Sequence, residues 1–343
     1  MKTAIVYWGS KGGGVRQVQT YMRIAEQLNL PINWFLSTNY ENILELQNQS
    51  RADIHITKIP RSRLEILGNI FRKTRAINDA LEELISTNID QIFFLLPHPW
   101  DITLAKKIAK KSKINIIRAI HDDKPHAGEF WPSKLTIRSM IKNSNIILTY
   151  SNYVATSIAI KSDRPIFTTR LYEFQKAVAR KSSKIVLFLG RMKKYQGYEN
   201  LTGAWPLVES KNFQLVIAGH QPKNKKSPIK GAIYINRWLS DLEIEALLEE
   251  SSLVVLPYVE ASQSGIVPLA NAHNVPVVIT PVGGLPEQVS NGVNGIIAKS
   301  ISPKDIAEAI DTALKTASWN FEQFNAAEDL LKKLTSGYLQ SNY

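Results

Sequence analysis

Short runs of β-branched and aromatic residues alternate along this chain with segments whose apolar residues recur at helical spacing. Ala4 to Trp8, Gln91 to Leu96, Asn115 to Ile120 and Ile146 to Tyr150 read as strands, and Val15 to Leu28, Leu64 to Ile85 and Ile102 to Lys111 as helices. That alternation predicts a parallel sheet covered by helices on both faces. The pattern pauses over a polar, basic stretch, Glu173 to Ser183, and restarts at Ile185. Strands are then expected at Ile185 to Leu189, Phe213 to Ala218, Ala232 to Ile235, Leu253 to Leu256 and Val277 to Ile279. Helices are expected at Tyr198 to Val208, Asp241 to Glu249, after Gly265, and at Pro303 to Leu314. The expected fold class is therefore α/β, with two doubly wound, Rossmann-like domains facing across a cleft at the carboxyl ends of their strands. The expected divisions are an N-terminal domain over 1–170, a linker over 171–183, a C-terminal domain over 184–318 and a C-terminal helix over 319–343. Periodicity leaves open whether that last helix caps its own domain or packs back on the first.

A chain of 343 residues suits two domains, and its 44% apolar content is that of a globular protein. No run approaches the roughly 18 apolar residues of a membrane span, and the short apolar segment after Met1-Lys2-Thr3 does not resemble a signal peptide. With no cysteine, disulfides and thiolate metal sites are excluded, which fits a cytoplasmic location. The net charge of +12 calls for an anionic partner. Basic stretches concentrate in the N-terminal half, at Arg61-Ser62-Arg63, Arg72-Lys73-Thr74-Arg75 and Lys106 to Lys111. They suit either solvated helix faces or a patch facing an anionic membrane, which would place the protein at the membrane's cytoplasmic face. No nucleic-acid-binding module accompanies the charge, so nucleic acid is not an expected partner.

Chemistry concentrates in the loops that follow strands. Gly9-Ser10-Lys11-Gly12-Gly13-Gly14 opens a helix, and such glycines let backbone amides approach a phosphate or sugar; a merely tight turn is the plainer alternative. The loop fits neither the dinucleotide-binding nor the P-loop spacing. His98-Pro99-Trp100 follows another strand, where Trp100 either stacks on a sugar or anchors the loop. His121-Asp122-Asp123-Lys124-Pro125-His126-Ala127-Gly128-Glu129 gathers two histidines and three carboxylates at a strand end. Its histidines sit in a proline-containing loop and not on one helix face, so they favour hydrogen bonding to sugar hydroxyls over metal ligation. Arg191, flanked by Lys193 and Lys194, can neutralise a diphosphate, though a solvated basic turn has the same composition. Finally, Pro257-Tyr258-Val259-Glu260 leads into Ser264-Gly265-Ile266. The next strand ends in Pro281-Val282-Gly283-Gly284-Leu285-Pro286-Glu287, so two glycine turns after neighbouring strands form one site.

This succession of motifs resembles glycosyltransferase family 4, the group 1 transferases, strongly from Lys184 to Leu314 and more weakly at the first glycine loop and His121. The resemblance implies a GT-B fold and transfer of a hexose from a nucleotide-diphosphate sugar, with retention of configuration and without a cofactor or essential metal. It implies that Arg191 holds the donor diphosphate with Lys193 or Lys194, that Glu260 holds donor sugar hydroxyls, and that His121 lies near the reacting sugar. His121, Glu260 and Arg191 are thus the candidate catalytic set. Ser264, Gly265 and Ile266 would contact phosphate or sugar, with Gly13 and Gly14 also on the donor. His98, Trp100 and His126 are the candidate acceptor contacts, the acceptor being a glycan or a lipid-linked glycan. Two positions depart from the family pattern. Gln196 replaces a diphosphate-binding lysine, and Pro268 and Leu269 stand where a second, ribose-binding glutamate would fall; the chain is similar to a branch with a Ser-Gly form of this turn. These departures motivate an alternative, a catalytically silent protein that binds sugar nucleotides or glycans.

Overall fold

In the run Ile185-Val186-Leu187-Phe188-Leu189, successive side chains go to opposite sides. Val186 and Phe188 are buried in one core cluster, Leu187 and Leu189 in another. Leu215 and Ile217 against Val216 and Ala218, and Leu253 and Val255 against Val254 and Leu256, repeat that division. A strand buried on both faces has no polar side to show, which is why these strands read as continuous apolar runs.

The computed structural model describes residues 1–59, 70–126, 132–174, 184–220, 228–321 and 325–342, with the backbone alone for 70–73. The basic run Arg61-Ser62-Arg63, Glu129, most of the expected linker and residues 221–227 lie outside the described residues. The chain divides into two units. One comprises 1–124, 132–171 and 325–343, the other 125–131 and 172–324.

The first unit is built on a seven-stranded sheet of β1 (Thr3–Tyr7), β2 (Ile32–Ser37), β3 (Asp53–Thr57), β4 (Gln91–Phe94), β5 (Asn115–Ala119), β6 (Ile146–Thr149) and β7 (Ile166–Thr168). Their order is β3-β2-β1-β4-β5-β6-β7, and every pairing is parallel. The connecting helices are α1 (Gly13–Gln27), α2 (Ile43–Gln49), α3 (Ile70–Ser86), α4 (Asp101–Lys111), α5 (Lys134–Lys142) and α6 (Asn152–Ala159). Ser133 and Ser151 start the last two by accepting hydrogen bonds from the Thr136 and Val154 amides at 3.2 and 3.3 Å.

The second unit holds a six-stranded sheet of β8 (Ile185–Leu189), β9 (Gln214–Ala218), β10 (Ile233–Ile235), β11 (Leu253–Leu256), β12 (Val277–Ile279) and β13 (Gly295–Ile297). It is again all parallel, in the order β10-β9-β8-β11-β12-β13. Its helices are α7 (Tyr198–Ala204), α8 (Asp241–Glu249), α9 (Ile266–Ala272) and α10 (Pro303–Lys315). In both sheets the order reverses beside the first strand, at β1/β4 and at β8/β11. Loops at the carboxyl ends of strands around such a switch are where open α/β sheets take ligands.

The second unit extends to 324, so the C-terminal piece begins later than the expected 319. Trp319 packs on the core of the second unit, and the Asn320 amide donates to the Val293 carbonyl at 2.9 Å. Of the two placements open to the final helix, α11 (Ala326–Ser336) takes the first unit, followed by α12 (Tyr338–Asn342). Gln91 is fully buried; its amide donates to Thr3 Oγ1 at 2.8 Å and to the Leu334 carbonyl, which also accepts from Thr3 Oγ1 at 3.4 Å. These bonds satisfy one α11 carbonyl inside the unit's core. Among the described residues, no helix is long and apolar enough to cross a membrane.

Candidate donor site

The loops after β8, β11 and β12 meet through their backbones. Gly197 ends the 3₁₀ turn Lys194–Gln196 with φ +67°, and a Cβ there would lie 1.7 Å from the Pro257 carbonyl oxygen. Only glycine meets both conditions, so the β8 loop rests directly on the start of the β11 loop. The Tyr195 carbonyl then accepts from the Val259 amide at 2.8 Å and the Glu260 amide at 3.4 Å, and the Gly284 amide donates to the Ala261 carbonyl at 3.1 Å.

On this frame the charged groups converge. Tyr258 is buried, and burial pushes its phenol up; hydrogen bonds with Ser264 and Gln196 and the nearby Arg191 charge offset part of that rise. The buried Tyr258 phenol thus hydrogen-bonds Ser264 and lies within reach of the charge of Arg191, whose side chain is exposed. Lys194 is exposed and Lys193 half-buried in the same turn. Gln196, where the resemblance implies a diphosphate-binding lysine, turns inward. It is 6% exposed, its Oε1 accepts from the Lys193 amide at 3.1 Å and its Nε2 donates to Tyr258 Oη at 3.4 Å. An ammonium in that place would be buried. Gln196 thus holds the turn, and Arg191, Lys193 and Lys194 remain the candidate diphosphate contacts. Pro268 and Leu269 lie buried inside α9, where a carboxylate would be equally costly.

Ser264 is fixed from both sides of its peptide. Its amide donates to Gln288 Oε1 at 2.7 Å, its carbonyl accepts from Gln288 Nε2 at 3.0 Å, and its Oγ accepts from the Ile266 amide at 3.2 Å. Gly265 is exposed with an ordinary φ of −69°, and a Cβ built on it would meet nothing within 4 Å. Ile266 is the half-buried first residue of α9. Glu260 is half-buried, with Oε1 3.9 Å from His126 Nδ1. His126 stacks on Tyr195 at 4.5 Å between centroids, 17° from parallel. His126 belongs to the second unit, beside Glu260, while the candidate acceptor contacts His98 and Trp100 belong to the first.

Gly13, Gly14, His98, Trp100 and His121 belong to the first unit. Trp100 requires a correction. It is 1% exposed and packs in the core with Trp8, Leu104 and Ile108, so its ring is unavailable for stacking on a sugar. Beneath it, Asp101 and Arg118 form an ion pair of 2.8 Å with both side chains 1% exposed, and the Arg118 guanidinium lies 4.2 Å from the Phe94 ring centroid. Asp101 also accepts from the His98 amide at 2.8 Å, which fixes the His98 loop. Burial pushes the Asp101 carboxyl up, against the opposing effects of Arg118 and the His98 amide. His121 lies near Leu95 and Tyr150; its Nε2 donates to the Leu95 carbonyl at 3.1 Å, and the rings of His121 and Tyr150 are 4.6 Å apart. Desolvation lowers its pKa, with Asp122 and the Leu95 carbonyl opposing, so the imidazole is neutral at pH 7 with Nε2 protonated. Gln17 donates to the Tyr150 hydroxyl at 2.8 Å and the Tyr21 hydroxyl at 3.2 Å.

No motif marks Gln288 and Tyr195, which support the loops of the second unit, or Gln17 and Tyr150, which pair beside His121 in the first. Gln288 was the most findable, because it directly follows Glu287 in the second glycine loop. Among the described residues no group of three or more His, Asp and Glu is arranged to hold a metal ion.

The family model described as "Glycosyl transferases group 1" matches residues 183–316. An uncharacterized glycosyltransferase of Methanocaldococcus jannaschii is 32% identical over 162 residues, 44% of this chain and 41% of that protein. D-inositol 3-phosphate glycosyltransferase of Corynebacterium aurimucosum is 25% identical over 273 residues, 70% of this chain and 64% of that protein. The chain thus spans less than two thirds of the length of either relative. Among solved structures, Anabaena HepE in complex with UDP and glucose superposes with a TM-score of 0.68 at 13% identity, covering 99% of each chain. At that identity the likeness shows the fold, which is GT-B, two Rossmann-like α/β units.

Proposed function

We propose, from the match of residues 183–316 to the model of the group 1 glycosyl transferases, that this chain transfers a hexose from a nucleotide-diphosphate sugar to a glycan or lipid-linked glycan, with retention of configuration. The observation that carries this reading is the exposed Arg191 on the β8 loop, which is backbone-bonded to the β11 loop that bears the fixed Ser264 and the open Gly265. In such a transfer the bond from the anomeric carbon to the diphosphate breaks, and negative charge builds on the departing phosphate oxygen. A guanidinium already in place, with Lys193 and Lys194 beside it, stabilises that charge more in the transition state than in the ground state. These cations supply what a metal supplies in other transferases, so no essential metal is proposed. Glu260 would accept hydrogen bonds from the sugar hydroxyls. The donor's own phosphate oxygen would assist the acceptor hydroxyl on the face the leaving group vacates, the route to retention.

The test is thermal unfolding with UDP, GDP, ADP and dTDP, wild type beside Arg191→Ala. At least one nucleotide is expected to stabilise the wild type, by about 2.7 kcal/mol at a hundredfold excess over its dissociation constant. The Arg191→Ala protein should lose most of that response, since a charged hydrogen bond to phosphate contributes about 1.5–3 kcal/mol. No response from the wild type, or an equal response from the mutant, overturns the donor site.

A lipid-linked acceptor is supported by the net charge of +12 and by α5, which exposes Lys134, Arg138 and Lys142 together with Leu135. Basic residues around an exposed apolar side chain suit an anionic bilayer surface. The protein is expected to float with anionic vesicles at low salt; protein remaining in solution would remove this part.

A further inference from the structure

The second unit carries a cavity of about 350 Å³ away from the donor loops. Phe213 of its lining directly precedes β9 and Lys230 lies just before β10, whereas Arg191 and Tyr258 follow the carboxyl ends of β8 and β11. All these strands run parallel, so the cavity sits at the opposite edge of the sheet. Its lining is mostly apolar: Trp205 and Phe213 are half-buried and pack on the core of the unit, and Pro206 adds a third ring. Its charge is of one sign, since the ionisable groups of the lining are Lys211 and Lys230. Both are exposed, and neither is in an ion pair among the described residues. We infer that this cavity is a second binding site, and that it takes an acidic glycan, one whose sugars carry carboxylates as uronic acids do. A pyranose can rest its C–H face on an electron-rich ring while its hydroxyls and carboxylate reach the ammonium groups around it. The volume lies near the lower end of the range of small-molecule sites, about 300–1,000 Å³, and suits a short stretch of saccharide. An alkyl chain fits less well. Lys211 Nζ donates to the Pro206 carbonyl at 3.0 Å, and a chain without acceptors would have to pack against that ammonium.

The backbone under both lysines is fixed. Asp311 of α10 accepts from the Glu209 and Ser210 amides at 2.8 and 2.9 Å and from Ser210 Oγ at 2.7 Å, and the Lys211 amide donates to the Glu209 carbonyl at 2.8 Å. These bonds hold the turn that carries Lys211 into Phe213. On the other side, Gln214 Nε2 donates to the Gly231 carbonyl at 2.6 Å, and the amide of buried Ile229 donates to the Tyr234 hydroxyl at 2.6 Å. Lys230 is therefore anchored between two bonded neighbours. With its walls in place beforehand, the cavity loses little backbone freedom when a ligand enters. The lining also discriminates. A neutral glycan gains the ring contacts alone, while an acidic one adds charge-assisted hydrogen bonds to the lysines.

The experiment is isothermal titration of hexasaccharides of hyaluronan, polygalacturonate and alginate, with neutral chitohexaose for comparison, each beside UDP, GDP, ADP and dTDP. At least one acidic hexasaccharide should bind wild type more tightly than chitohexaose does. Replacing both cations, Lys211→Ala with Lys230→Ala, should weaken that glycan by about 5- to 30-fold and leave nucleotide binding unchanged. Trp205→Ala should weaken acidic and neutral glycans alike; should it fail to fold, the lysine variant, altered only at exposed positions, carries the test. Four outcomes overturn the inference: no acidic hexasaccharide binds wild type, none binds more tightly than chitohexaose, the lysine variant binds as wild type does, or it loses nucleotide and glycan together. Cosedimentation with vesicles of anionic phospholipid, lost in the lysine variant while wild type binds no hexasaccharide, would give the cavity to lipid and likewise overturn it. The donor site is read separately. A wild type that binds nucleotide but no acidic glycan overturns the second site alone, and one that binds acidic glycan but no nucleotide overturns the donor site alone.

Discussion

Gly14, in the first glycine turn, and Gly265, in the Ser-Gly turn, behave in opposite ways. In the first unit, a Cβ at Gly14 would lie 2.4 Å from Leu96 Cδ1 and 2.5 Å from Tyr7 Oη, and one at Gly9 would lie 2.3 Å from the same Tyr7 hydroxyl. The space above both glycines is filled by a buried tyrosine whose ring also meets Tyr40 edge to face. In the second unit, Gly265 has an ordinary backbone and an empty surrounding. The same contrast runs through the neighbouring residues. Trp100, Asp101 and Arg118 are spent on the interior of the first unit, while Arg191, Lys194 and Gly265 face outward from the second. A loop after a parallel strand is therefore a candidate by position only; what its side chains touch decides whether they serve the fold or a ligand.

Three substitutions test this contrast. The largest effect is expected from Arg118→Ala, which leaves the Asp101 carboxyl buried without its partner; losing one side of such a pair costs about 3–5 kcal/mol. Denaturant titration should show it, and a change within the range of a surface substitution would mean that the pair is not holding the His98 loop. Gly14→Ala comes next. Tyr7 cannot retreat, because Gly9 lies against the same ring, so overpacking should lower stability by about 1–3 kcal/mol. Gly265→Ala should stay within about 0.5 kcal/mol of wild type in stability and yet weaken binding of the nucleotide-sugar conjugate, read by titration. If Gly265→Ala destabilises the protein as much as Gly14→Ala does, the contrast between the two turns is broken.

The central strands were legible because burial on both faces writes a continuous apolar run, as in Ile185 to Leu189 and Leu253 to Leu256. The strands passed over were mostly at the edges: β3, with the alternating Asp53-Ile54-His55-Ile56-Thr57, and the three-residue β7 and β13. An edge strand has one neighbour and less to bury, so it leaves a shorter and more polar trace. The interior β2 was missed for another reason, since Asn33 interrupts its apolar run. Within the site, the residue types of the donor loops were readable, but the pairing of Gln288 with Ser264 was not, because the two lie 24 positions apart.

By itself the sequence determined the two α/β units, the order of the motif loops after their strands, and the residue types needed to neutralise a diphosphate. These follow from local periodicity and from chemistry carried by neighbouring positions. Only the tertiary structure decided that Trp100 belongs to the core, that Gln196 turns inward to hold its loop, that α11 packs in the first unit, and that His126 stands beside Glu260. Each of these turns on contacts between residues far apart in the chain, where the depth of burial and the nearest partner, not the residue type, determine what a side chain is free to do.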